Sequence, residues 1–118
     1  MKPIYSDHTR LDERSLALHQ LVAQKVLAAP ALLDKARENL RRWQETSGGP
    51  SLALAEWEQI LGGHVDQVAQ FLTERSEKAT RLRQSSPFCG ILTEAERLAI
   101  YESYSTRTYH PRGKPNLG

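Results

Sequence analysis

Apolar residues recur every three or four positions through most of this 118-residue chain, which is the spacing of one face of an α-helix. Sustained alternation of apolar and polar residues, which would indicate a half-buried strand, is absent from the sequence. No internal repeat of about 20 to 50 residues is present, which argues against a solenoid. The pattern predicts an all-α protein, a single compact bundle of five or six short helices.

Two helices are predicted in the first part of the chain. The first is expected to begin after Thr9 and to end near Ala28, and Pro30 suits the first position of the second, where its missing N–H costs nothing. Their inward faces follow from helical spacing. The residues expected there are Leu11, Leu18, Leu21, Val22 and Val26 in the first helix and Leu33, Ala36, Leu40 and Trp43 in the second.

The breaker at residues 46–51 contains two glycines and a proline and separates these helices from the next pair. Ser51 is expected to cap a third helix that runs through Leu61. Gly62 and Gly63 end it, and Gly63 is expected to take the left-handed conformation. A fourth helix follows at once.

The last two helices are predicted from their caps. Thr73 or Ser76 is expected to cap a fifth, more polar helix that reaches about Gln84. Thr93 and Glu96 have the spacing of a capping box, and they open a last helix whose apolar residues are Leu98, Ala99 and Tyr101. That helix is expected to fray near Tyr104.

The end of the chain differs in composition from the rest. Two prolines and two glycines prevent a helix, and too few apolar residues remain to offset the entropy of ordering. We therefore predict a helical bundle domain at residues 1–103 and a flexible or partner-ordered basic tail, an extended basic C-terminal arm, at residues 104–118. The residues expected to bind a partner there are Tyr104, Arg107, Tyr109, Arg112 and Lys114.

Composition limits the function classes. The content of 39% hydrophobic and 25% charged residues fits one ordinary domain, and the net charge of +2 is too small to indicate nucleic acid binding by itself. No apolar run is long enough to cross a membrane and the N-terminus lacks a signal sequence, so a cytoplasmic location is expected. The single cysteine, Cys89, cannot form an internal disulfide and is expected to be a small buried residue.

Two patterns suggest other functions. Arg14 and His19 have the Arg-x4-His spacing of helical RNA-cleaving toxins of the HEPN class, in which the guanidinium would stabilise a phosphorane and the imidazole would move a proton. Arg37, Arg41 and Arg42 could contact phosphates, which makes a small DNA-binding transcriptional regulator the first alternative and a HEPN-like ribonuclease the second. The histidines lack ligands at zinc spacing, so neither metal nor cofactor is expected.

One segment resembles a known group of proteins. Residues 82–93 read LRQSSPFCGILT, preceded by RSLALH at residues 14–19, Arg42-Trp43 and Glu56-Trp57. This order is similar to that of small helical antitoxin-like proteins from bacterial toxin–antitoxin-type gene pairs, over roughly residues 11–101. The chain departs from the group at Cys89, where alanine is usual, and in its long basic tail.

The resemblance implies an antitoxin-like role. We expect the chain not to be an enzyme and to neutralise a partner toxin by a direct steric and electrostatic blockade through the C-terminal arm. Operator DNA is a possible second partner, and no membrane contact is expected. The motif itself is interpreted first as a structural joint, in which Pro87 stops the fifth helix, Ser85 or Ser86 satisfies loose backbone donors, and Phe88 enters the core. The alternative is that Arg83 and Gln84 face a partner.

Overall fold

The protein is described here from a computed structural model, which covers residues 7–46 and 51–107. These residues form six α-helices and one 3-10 turn, and they contain no strand, which confirms the all-α prediction. The elements in chain order are α1 (Asp7–Ala28), a 3-10 turn (Pro30–Leu32), α2 (Leu33–Thr46), α3 (Leu52–Leu61), α4 (Val65–Leu72), α5 (Glu77–Arg83) and α6 (Glu94–Ser103). The predicted arm lies outside the described residues from position 108 onward.

Side-chain caps begin four of these helices. The hydroxyls of Ser51 and Ser76 each accept a hydrogen bond from the N–H three residues on, and this confirms the predicted starts of α3 and α5. At α6, Thr93 Oγ1 accepts from Glu96 N at 3.1 Å and Glu96 Oε1 accepts from Thr93 N at 2.8 Å. This reciprocal pair confirms the predicted capping box. His64 caps α4, which the sequence did not suggest because histidine rarely holds that position.

The prediction for the end of α3 was wrong. Gly62 closes the helix with φ −79°, in the right-handed region, and Gly63 does not have a positive φ. His64, in an extended conformation, follows directly and caps the next helix. Among the described residues, the positive φ belongs to Gly90, at 85°.

The core lies where α1 packs along α4 and where α2 packs against α3. Trp57 of α3 is fully buried at its centre, and its indole N–H donates to the Leu82 carbonyl at 3.0 Å. Its ring meets Phe71 and Phe88 edge to face, with centroids 5.8 and 5.9 Å away. The predicted inward face of α2 is confirmed, because Leu33, Ala36 and Leu40 are buried and Trp43 packs against the cluster.

The covered face of α1 differs from the predicted stripe. Leu11 is 37% exposed, whereas Leu16 and His19 are buried. Val22 and Val26 belong to both the predicted and the observed face. A polar residue at position 19 hid the true stripe, since spacing rules count apolar residues alone. None of the helices in residues 7–46 and 51–107 is both long enough and apolar enough to cross a bilayer.

Candidate functional site

A concave surface with mixed chemistry lies between α1 and α6, and we call it the α1–α6 groove. The loop between α5 and α6 forms its floor, and its cavity measures about 410 Å³. That volume is within the range of roughly 300–1,000 Å³ that is usual for binding pockets. Most of the lining is apolar, supplied by Leu18, Val22, Phe88, Leu92 and Tyr101. Polar groups also reach it, namely His19, Ser86, Glu94 and Arg97.

The floor of the groove is fixed from below by Asn39 of α2. This side chain is 2% exposed, and its Nδ2 donates to the carbonyls of Pro87 at 2.9 Å and Cys89 at 3.0 Å. Two carbonyls of a loop that has no helical hydrogen bonds thereby receive a donor. Helical spacing could have indicated Asn39, which lies three residues after Ala36 on the inward face of α2.

The motif that contains Ser86 acts as the predicted structural joint. Ser86 Oγ accepts a hydrogen bond from Phe88 N at 3.3 Å, and Phe88 enters the core with 5% of its surface exposed. Gly90 then turns the chain at positive φ. Cys89, in contrast, is exposed, so its predicted burial was wrong. The loop presents Cys89 outward because the adjacent Phe88 is the residue that enters the core.

His19 connects α1 to this loop. Its Nδ1 lies 2.7 Å from the Ser15 carbonyl and its Nε2 lies 2.7 Å from Ser86 Oγ. Both contacts are satisfied when Nδ1 carries the proton and the Ser86 hydroxyl donates to Nε2. Burial, against the opposing effect of the Ser15 carbonyl and with a smaller contribution from the nearby Arg83 charge, lowers the pKa of His19 to about 4. The imidazole is therefore neutral at pH 7.

Arg14 and His19, the pair suggested for ribonuclease catalysis, both make contacts within the fold. An imidazole with a pKa of about 4 is a weak base, and both of its nitrogens are engaged within the fold. The Arg14 guanidinium lies 4.5 Å from the centroid of the Tyr101 ring, where it holds α6 by a cation–π contact. Ser86 is likewise engaged as an acceptor from Phe88. The geometry therefore gives both residues of the predicted ribonuclease pair a place in packing.

Arg83 was predicted to face a partner, and the structure places it inside the protein, 5% exposed. Its Nη1 donates to the carbonyls of Leu72 at 3.2 Å and Glu74 at 2.7 Å. Leu72 is the last residue of α4, and Glu74 lies two residues beyond it. Carbonyls at the end of a helix have no hydrogen-bond donor within the helix, so Arg83 supplies one. Desolvation lowers the pKa of Arg83, which is the cost of placing a cation there. Gln84 is exposed and remains accessible.

The three arginines proposed for DNA have different roles in the fold. Arg37 donates to the Leu61 carbonyl through both Nε, at 3.0 Å, and Nη2, at 2.9 Å, which ties α2 to the end of α3. Arg42 donates to Asn39 Oδ1, so it supports the side chain that holds the groove floor. Arg41 is exposed. Two of the three thus have contacts within the fold, and all three are exposed, so their contact with phosphates stays a prediction.

The predicted arm begins close to α1. The Tyr104 carbonyl accepts a hydrogen bond from Arg10 Nη1 at 3.0 Å, and Arg107 is exposed. Tyr109, Arg112 and Lys114 lie outside the described residues.

Within the part of the chain that the structure describes, no group of three or more His, Cys, Asp or Glu side chains could hold a metal ion.

Comparisons of the chain with protein-family models, with curated proteins and with solved structures found no match.

Proposed function

We propose that this chain acts in the cytoplasm by binding another protein, as the neutralising member of a toxin–antitoxin pair, and not by catalysis. The observation that supports the proposal is α6, a ten-residue helix with no buried residue. Leu98 is 55% exposed and Tyr101 is 39% exposed on this helix. A helix that leaves its large apolar side chains open in the isolated chain is suited to a partner surface.

The attachment of α6 is consistent with this role. It is held to α1 by the Arg14–Tyr101 contact and by an ion pair between Lys25 Nζ and Glu96 Oε1 at 2.6 Å. Such surface contacts are worth little individually compared with core packing. The helix can therefore adjust to a partner at small cost while the core stays intact.

The basic arm continues directly from α6 and would supply the electrostatic part of the blockade. Arg107, Arg112 and Lys114 stand in a segment without Asp or Glu. Guanidinium groups form paired hydrogen bonds with carboxylates and phosphates. In the proposal, these cations occupy sites where the toxin would hold a phosphate or acidic, metal-binding side chains. Tyr104 and Tyr109 add buried apolar area at the same interface.

The test is rescue of cell growth when this chain is co-expressed with the protein encoded by the adjacent gene. Deletion of residues 108–118 keeps the Arg10–Tyr104 bond, so the helical circular dichroism should be unchanged while rescue is lost. Arg41→Gln, which removes an exposed cation from α2, is the matched control and should rescue fully. Full rescue by the deletion variant would exclude the arm as the neutralising element.

A further inference from the structure

The α1–α6 groove and the exposed side of α6 form one continuous apolar surface. Tyr101 lines the groove, and Leu98 lies three residues before it, hence beside it on the helix surface. Leu18 and Val22 of α1 form the opposite wall, and Phe88 lies at the floor. The apolar side chains at this surface thus come from α1, the α5–α6 loop and α6.

Two exposed cations lie beside this surface. A Cβ built on Gly90 would lie 3.2 Å from Lys35 Cε, so the Lys35 side chain lies against the loop that floors the groove. Arg97 lines the groove from α6, and Arg42 lies beside Asn39, which holds the same loop. Lys35 and Arg97 are exposed, and neither forms an ion pair within residues 7–46 and 51–107.

Carboxylates without an ion pair are fewer at this surface than such cations. Glu96 is bound by Lys25, which together with the Thr93 cap holds the pKa of Glu96 below its usual value. Glu94 lines the groove and forms no ion pair within residues 7–46 and 51–107. The unpaired charges at the groove are therefore those of Lys35 and Arg97 against Glu94, and this excess of positive charge favours a partner that carries carboxylates beside its apolar side chains.

The secondary structure of the occupant follows from the backbone around the groove. The described residues contain no strand, so no sheet edge offers hydrogen bonds to an extended peptide. A helix satisfies its own backbone groups and can bury an apolar face without leaving donors or acceptors unpaired. A helical occupant therefore leaves the fewest backbone donors and acceptors unpaired when it covers this apolar surface.

We propose that the α1–α6 groove is the docking site for an acidic amphipathic helix of the partner protein. Its apolar side chains would fill the groove between Val22 and Tyr101, and its carboxylates would meet Lys35 and Arg97. This inference rests on the proposed function and adds to it a second contact, distinct from the arm. The arm would then provide neutralisation, and the groove would provide a partner-specific anchor.

Two synthetic peptides test the groove directly. Both carry leucines at helical i, i+3, i+4 and i+7 spacing, and their remaining positions are mainly Glu in one peptide and mainly Lys in the other. Fluorescence anisotropy with the full chain should show the Glu peptide binding at least about tenfold tighter than the Lys peptide, with affinity falling as salt rises. Amide NMR shifts should map its site to α6 and the loop at residues 84–93.

Variants at exposed positions give the matched controls. Leu98→Ser should weaken the Glu peptide at least about fivefold because it removes apolar contact area. Arg97→Glu should reduce or reverse the preference between the two peptides. Leu52→Ser, at a residue 75% exposed on α3, should leave binding unchanged. Equal affinity for both peptides, or binding that is insensitive to Leu98→Ser, would overturn the groove assignment.

The two proposals fail in different ways. If growth rescue depends on residues 108–118 but the Glu peptide does not bind the groove, the docking inference is wrong and the antitoxin proposal stands. If the peptide binds as expected and Leu98→Ser weakens it, the docking chemistry is supported, even where the adjacent gene product is not neutralised. In that second case, only the identity of the partner as a toxin is refuted.

Discussion

Acidification from about pH 8 to about pH 4.5 should weaken this fold through His19 by about 2–3 kcal/mol. The side chain is 6% exposed, and burial lowers its pKa from 6.5 to about 4. Between these two values, the unfolded chain binds a proton that the folded chain does not. The free energy of unfolding therefore falls as the pH falls through this interval, at about 1.4 kcal/mol per pH unit, and the loss levels off below pH 4.

The assay is urea unfolding at a series of pH values, followed by far-UV circular dichroism and by tryptophan fluorescence. The wild type is compared with His19→Gln, which cannot take up a proton. Acidification also weakens the fold through Glu56 and Glu96, whose pKa values are lowered by hydrogen bonds from Arg81 and Lys25. These carboxylates are present in both chains, so their effect cancels in the difference. His8→Gln, at an exposed position, should keep the full wild-type dependence.

Parallel pH curves for the wild type and His19→Gln would refute the reasoning. NMR gives an independent measurement if the variant does not fold, because the imidazole C–H shifts of the wild type report the protonation of His19 directly. A midpoint near 4 is expected. A midpoint near 6.5 would mean that the ring is hydrated and that the bond to Ser86 does not exclude water.

Two further predictions concern the packing around the groove. Trp57→Phe should destabilise the fold by about 1–3 kcal/mol in the same urea assay at neutral pH, because the Leu82 carbonyl loses one of its donors, keeping the Ser85 N–H at 3.0 Å, and the smaller ring leaves part of the core unfilled; an unchanged midpoint would contradict that bond. Gly90→Ala should cost about 1–2 kcal/mol, since φ 85° is unfavourable for a residue with a Cβ. Gly62→Ala, at φ −79° with its nearest contact 3.5 Å away, is the matched control and should be neutral or slightly stabilising, so equal losses at the two glycines would refute the backbone argument.

Local signals predicted the helices well. Ser51, Ser76 and Thr93 were identified from sequence because a capping side chain bonds to a backbone N–H only two or three residues away. The inward face of α2 was also predictable, since its apolar residues are regularly spaced. The positive φ was assigned to Gly63 and belongs to Gly90, because composition shows where a glycine is and does not show where the chain must reverse.

The candidate site was far less predictable. The RSLALH segment and the LRQSSPF motif were both noted in the sequence, but nothing local indicates that His19 and Ser86 lie 2.7 Å apart. Arg83 looked like an exposed cation on a polar helix, and only the position of the end of α4 gives it buried acceptors. Leu98 and Tyr101 were identified only as apolar residues of the last helix, and the sequence does not show that both stay exposed on α6.

The sequence by itself determined the helices, most of their caps and a basic C-terminal segment, because each depends on residues within about one helical turn or on composition. Tertiary structure decided which face of α1 is covered, that Arg83 is buried, and that α1 and α6 enclose a groove with two exposed cations beside it. Those outcomes depend on contacts between residues far apart in the chain, such as His19 with Ser86 or Asn39 with Pro87. Helical periodicity can show that a face is apolar, but only packing determines whether another helix covers it.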